Sequence, residues 1–280
     1  MQNKFYKTIK YDLSYGMRVN KLKFLLILFL FISLDIVFFT DVSRLHFSSI
    51  IDDKATITDC WISCFRGINI YIPSPDKPFP IPIVWLMIQA AILFTVFSYP
   101  TQDIHSHGIQ VLTRTKSRTL WWLSKCCWNI ITVILCYLIA FASICCFTLC
   151  FGNFSFTPNY TINQYINEIS LNSSITPEFF IMIFLLPILT SITISLFQMT
   201  LSFIFSPIIS YFIVMCYIIA SAYYYSPILI GNFSMIMRNQ FLDPRGSNTY
   251  IAIIINICLL IVISLIGIVY FRRYDIIKKS

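Results

Sequence analysis

The chain has 280 residues, 58% of them hydrophobic and 11% charged, with a mean hydropathy of +0.77 and a net charge of +8. A soluble domain carries about 25% charged residues, so this chain has too few to cover a globular surface in water, and lipid must take that role. The positive balance sits beside apolar runs, so it reads as membrane orientation and not as a nucleic-acid footprint.

In residues 1–21, Phe5, Ile9, Leu13 and Met17 recur every four residues, with Lys4, Lys7, Lys10 and Arg18 around them. The spacing predicts an interfacial helix lying on the membrane surface; a disordered basic tail is the alternative. The first apolar run starts near Leu22 with no small-residue cleavage site after it, and is expected to be a permanent span. Apolar runs of near-spanning length predict six transmembrane helices, at about 22–40, 81–99, 123–150, 177–204, 207–225 and 250–270. Thr176-Pro177 and Ser206-Pro207 read as helix starts, with an N-cap residue before proline at the first helical position. Residues 41–80 and 151–176 read as polar loops, and 226–249 as a mixed segment. The fold class expected is all-α, a single polytopic membrane domain over 1–280.

Fourteen of the twenty Lys and Arg fall on one side of this arrangement: the amino-terminal segment, the 100–125 loop with Lys125, and the tail. Arg44, Lys54, Arg66, Lys77, Arg238 and Arg245 fall on the other, together with most of the acids. The positive-inside rule then puts both termini in the cytoplasm of a cell-membrane protein. Trp121 and Trp122 at the cytoplasmic start of the third span, and Tyr223, Tyr224 and Tyr225 at the outer end of the fifth, read as aromatic belts at headgroup level.

The search for chemistry is mostly negative. The sequence has no phosphate loop, no H-E-x-x-H and no G-x-S-x-G, so no catalytic residue, cofactor or metal is expected on this chain. Most cysteines lie in apolar runs and read as small hydrophobes. Cys60 and Cys64 differ, because they lie in a polar loop where an oxidising compartment would favour a disulfide. Asp35 is an ionisable residue within a span, near its outer end: it faces either an aqueous path or a neighbouring helix through hydrogen bonds. Ser191, Ser195, Gln198 and Ser202 share one face of the fourth span, which either lines a polar pathway or packs on another helix; Gln89 and Asn256 are weaker cases.

The segment 101–125, TQDIHSHGIQVLTRTKSRTLWWLSK, carries apolar residues at Ile104, Ile109, Val111 and Leu112, with Asp103, Arg114, Lys116 and Arg118 around them. A short amphipathic helix that docks on a soluble partner is one reading, and a basic loop that sets topology is the other. Here the sequence resembles the permease subunits of ATP-binding-cassette exporters of the type-2 class, through the run Gln110 to Arg118 followed by Trp121, Trp122 and Lys125. Residues 227–246, with Gly231-Asn232 and Arg238, look like the short external helices of that class. The resemblance implies that Asp103 to Thr113 form a coupling helix on a separate ATPase subunit, with Asp103, Ile104, Gly108, Ile109, Val111, Leu112, Arg114 and Arg118 as its coupling residues. ATP and Mg would sit on that partner, beside a second permease of the same or a related kind. The cargo implied is hydrophobic or amphipathic: a peptide toxin, a bacteriocin or a drug. A secondary transporter or channel, and a membrane-embedded immunity or sensor protein, are the alternatives.

The topology has a direct test. An impermeant thiol reagent applied to intact cells should label cysteines engineered at positions 55 and 165. Labelling that waits for the membrane to be broken would reverse the assignment.

Overall fold

The computed structural model describes residues 2–73, 75, 78–105, 117–171 and 176–273. The helices are α1 (Gln2–Val19), α2 (Lys21–Phe47), α3 (Ile57–Phe65), α4 (Ile83–Val96), α5 (Tyr99–His105), α6 (Arg118–Phe151), α7 (Tyr160–Tyr165), α8 (Pro177–Ile204), α9 (Pro207–Tyr223) and α10 (Thr249–Arg273). Two 3-10 turns, Ile230–Ser234 and Ile236–Arg238, lie between α9 and α10. Among the described residues the only β pairing is two isolated bridges.

Five segments are long and apolar enough to cross a membrane: α2, α4 with α5, α6, α8 and α10. α9 is equally apolar but has 17 residues. Ser206 caps it by accepting from the Ile209 amide, as its position before Pro207 predicts. Thr176 holds the same place before Pro177, yet its hydroxyl makes no capping bond. α8 is the centre of the bundle, with 67% of its apolar window buried inside the chain against 22% for α10. The outward faces carry large apolar side chains such as Leu22, Phe29, Phe212, Ile254 and Leu265, as lipid-facing surface requires.

α1 departs from the expectation of a helix lying flat. Its contacts climb α6 in step: Asp12 meets Ser124 and Lys125, and Gly16 meets the Trp128 indole. α2 continues the climb, with Asp35 on Ser143 and Phe39 on Phe147. The α1–α2 pair therefore runs beside α6 in the same direction, with a break at Asn20. α6 has 34 residues, about 51 Å at 1.5 Å per residue, and outlasts a hydrocarbon core of about 30 Å. α1 packs on the first turns of that long helix. Its buried stripe is Thr8, Asp12, Gly16 and Asn20, displaced from the half-buried Phe5, Ile9, Leu13 and Met17. The inner stripe is small or polar because α1 meets α6 closely: any side chain at Gly16 would strike the Trp128 ring.

Two prolines shape the spans. Pro100 has no N–H for the carbonyl of Val96, and the helix breaks over Phe97 and Ser98 between α4 and α5. Pro187 likewise leaves the carbonyl of Ile183 without its helical donor, in a π-helical stretch at Ile181–Leu185. Trp61 of α3 supplies the missing donor through Nε1, at 2.9 Å.

That contact corrects the reading of 41–80 as a polar loop. α2 continues to Phe47, and α3 is a helix with almost every residue buried. A capping box of Thr56 and Asp59 starts it. Ala55 is 1% exposed, so it cannot report accessibility; Ile72, 63% exposed, serves in its place beside Tyr165.

Asp59 joins this segment to 151–170. One carboxylate oxygen accepts from the Asn159 amide at 2.8 Å and Asn163 Nδ2 at 2.6 Å, and the other from the Thr56 amide at 2.9 Å. The two segments also exchange backbone bonds at Asn153–Ala55 and Ile57–Ser155. Arg238 closes the same end. Its guanidinium donates to the carbonyls of Ala222 at 2.5 Å, Ser221 at 2.6 Å and Ile68 at 3.1 Å, and to Asn232. Ser221 and Ala222 lie in the last turn of α9, where carbonyls lack helical donors and the dipole favours a cation. Burial brings Arg238 down to about 10, which leaves it charged at neutral pH.

Burial pushes Asp59 up to about 6 from the ordinary 3.8, against hydrogen bonds that favour its charged form. The folded state then binds the proton more tightly than the unfolded chain, so the stability this adds is complete below about pH 4 and is lost as pH rises through 6. Hydrogen exchange in 56–66, corrected for intrinsic rates, should slow between pH 7 and pH 5, and Asp59→Asn should abolish that slowing. Equal protection at both pH values in the unaltered chain would contradict this.

Candidate functional site

At the opposite end of the bundle, Lys125 is wholly buried between two carboxylates. Its ammonium donates to Asp12 at 2.5 Å and to Asp103 at 2.7 Å. Ser124 also donates to Asp12, as does the Tyr99 hydroxyl at 3.1 Å; the Tyr11 hydroxyl reaches Asp103 at 3.5 Å. The ammonium lies over the Tyr99 ring at 4.6 Å and the Trp121 ring at 5.0 Å, where ring quadrupoles favour a desolvated cation. Burial holds Asp12 above the usual carboxylate range, against the pull of Lys125. Three elements meet here: α1 brings Asp12, α5 brings Asp103 and α6 brings Lys125.

This cluster fixes one root of the segment 106–116. Asp103 is tied to Lys125 three residues before the segment begins. At the other root, the Ser117 side chain caps α6 by accepting from the Leu120 amide, and Arg118 donates to the Arg272 carbonyl at the end of α10 at 3.0 Å. Of the coupling residues expected from the sequence, Gly108, Ile109, Val111, Leu112 and Arg114 lie outside the described residues. Asp103 and Ile104 are each 1% exposed. Ile104 belongs to the chain's own core, so it offers no docking face, contrary to the expectation. Trp121 and Trp122 are also buried, against Phe203 and Phe271.

The residues proposed for a polar path sit in helix contacts. Ser191 donates to Gln89 at 3.0 Å and lies 2.8 Å from the Tyr137 hydroxyl. Ser195 donates to Asn129 at 2.7 Å, and Gln198 donates to the Leu93 carbonyl at 3.4 Å. Asp35, apart from these, accepts from Ser143 at 2.5 Å and from the Cys60 thiol at 3.3 Å. The structure thus brings Gln89 and Ser191 together and leaves Asp35 in its own contact between α2, α3 and α6. Cys60 and Cys64 are free buried thiols on α3, which corrects the expected disulfide; the segment that holds them is packed interior. Burial pushes both thiols up.

Asp12 and the role of Lys125 escaped the sequence reading, which counted Lys125 as a topology charge. A lysine seven residues inside a long apolar helix is itself a signal, because it demands a carboxylate. Which carboxylate is a tertiary matter: Asp12 is 113 residues away in sequence and Asp103 is 22.

The family model described as "Protein of unknown function (DUF2705)" matches residues 80–277. No curated protein and no solved structure matches the chain.

The cluster carries one more carboxylate than cation, which sets the order of two substitutions. Lys125→Met leaves two buried carboxylates facing each other and should cost about 3–5 kcal/mol. Asp12→Asn leaves a neutral Lys125–Asp103 pair and should cost about 1 kcal/mol. The unfolding free energies of the detergent-solubilised variants check this; equal losses would remove the charge argument.

Proposed function

The chain belongs to the DUF2705 family, and we propose that it is the transmembrane subunit of an ATP-driven exporter. In this reading α9 is the sixth span, both termini are cytoplasmic, and a hydrophobic or amphipathic cargo, such as a peptide toxin, bacteriocin or drug, leaves the cell. The ATPase is a separate chain, which binds ATP and Mg and docks on the segment after α5. A second permease completes the transporter.

The observation that carries the reading is the anchoring of the described residues on either side of 106–116. A segment that transmits motion from a partner to the spans must be rigidly joined to them. The Asp12–Lys125–Asp103 cluster provides such a joint on one side, and the Ser117 cap with the Arg118–Arg272 contact provides one on the other. The joint also reaches α1, and through it α2, so displacement of the segment would be felt at the start of two spans. The short turns around Gly231, Asn232 and Arg238 fit the external elements of this class. An ion-coupled carrier has less support, since both oxygens of Asp35 are engaged by neutral donors.

Copurification tests the proposal. The full chain should retain an ATPase subunit and transport cargo only with ATP. Ile109→Asp with Leu112→Asp would place charge in a desolvated contact, and should lower ATPase retention and transport together by about tenfold or more, with membrane insertion unchanged. An inserted double variant that transports normally would overturn the reading.

A further inference from the structure

A groove of about 530 Å³ opens between α1, the start of α2 and the middle of α6. Its lining mixes two chemistries. Ser14, Arg18 and Lys21 line it and are exposed. Met17 of α1, with Phe24, Leu135 and Ile139 on the apolar helices α2 and α6, completes the lining. No acidic residue lines the groove, and among the described residues neither Arg18 nor Lys21 is in an ion pair. The carboxylate nearest in sequence, Asp12, is already engaged by Lys125.

We infer that this groove binds one anionic phospholipid of the leaflet that faces the amino terminus. The charge complementarity is local: two unpaired cations with a hydroxyl donor match a phosphate headgroup, and the apolar floor matches an acyl chain. A free phosphate would use the cations and leave the floor wet, while a neutral phospholipid would fill the floor without matching the cations' net charge. Basic pockets between spans at a membrane surface are the setting in which headgroup recognition is expected. The inference rests on α2 and α6 lying in the bilayer, and not on the presence of an ATPase.

Native mass spectrometry of the detergent-solubilised full chain tests this, with phosphatidylglycerol and phosphatidylcholine of identical acyl chains as probes. The chain should take up one phosphatidylglycerol at concentrations where phosphatidylcholine leaves it bare. Arg18→Gln with Lys21→Gln should weaken that uptake about 30-fold, the loss expected for two cations at a lipid surface. Lys7→Gln with Lys10→Gln, an equal charge change outside the groove, should leave it unaltered. Ile139→Trp should fill the floor and weaken uptake with no change in charge. Soluble glycerol phosphate should not compete. Equal uptake of the two lipids, equal weakening by the two double variants, or full competition by glycerol phosphate would each overturn the site, and the first of these is decided without any variant folding. Retention of the ATPase is a separate readout, so loss of the exporter reading and loss of the lipid site are told apart.

Discussion

A lysine ammonium with no exposed surface cannot stay charged without close anions, and the packing at one end of this molecule follows from meeting that need at Lys125. Asp12 and Asp103 come from different helices, so one cation holds α1 and α5 against α6 at a single point. Removing charges from water costs several kcal/mol per ion, and only good geometry with further hydrogen bonds offsets it. Here Ser124, Tyr99 and Tyr11 provide those bonds, and two aromatic rings flank the cation. The result is less a source of stability than a means of fixing register: α1 cannot slide along α6 by a turn without separating Asp12 from Lys125.

The same demand, that polar groups within an apolar bundle find partners inside the chain, explains the opposite end. Pro187 frees the Ile183 carbonyl, and Trp61 takes it, which is why α3 must lie inside the bundle and not in a surface loop. The last carbonyls of α9 lack helical donors, and Arg238 takes them. Gly231 is fixed by this arrangement, because a side chain there would collide with Ser221. Asp59 gathers donors from both long connections, and so turns two loops into one cap.

Between these ends the interior polar side chains are mostly helix adhesives. The α4–α6–α8 contacts through Gln89, Tyr137, Ser191, Asn129 and Ser195 join backbone-close helices where apolar packing alone has little directional preference. Some valences remain spare within the chain, among them Gln89 Nε2 and Gln198 Oε1. Both belong to helices that pack on the central α8 or are α8 itself.

The amino-acid sequence by itself determined the class of the protein and the placing of its long helices. Apolar runs of near-spanning length and proline starts at Pro177 and Pro207 are local signals, and they appear in the structure, with α2 running on past its expected end to Phe47. α3 was legible in principle, since Thr56 and Asp59 form a capping box ahead of an apolar run, but nine residues inside a polar stretch carry too weak a period to outweigh their surroundings. The flat α1, the Cys60–Cys64 bond and the outward Ile104 were not supported, and for one reason. Each depends on which surface another helix covers. Only the tertiary structure decided that Trp121, Trp122, Lys125 and Ile104 are interior, because their burial is created by α1, α8 and α10, whose approach is set by contacts between residues far apart in the chain.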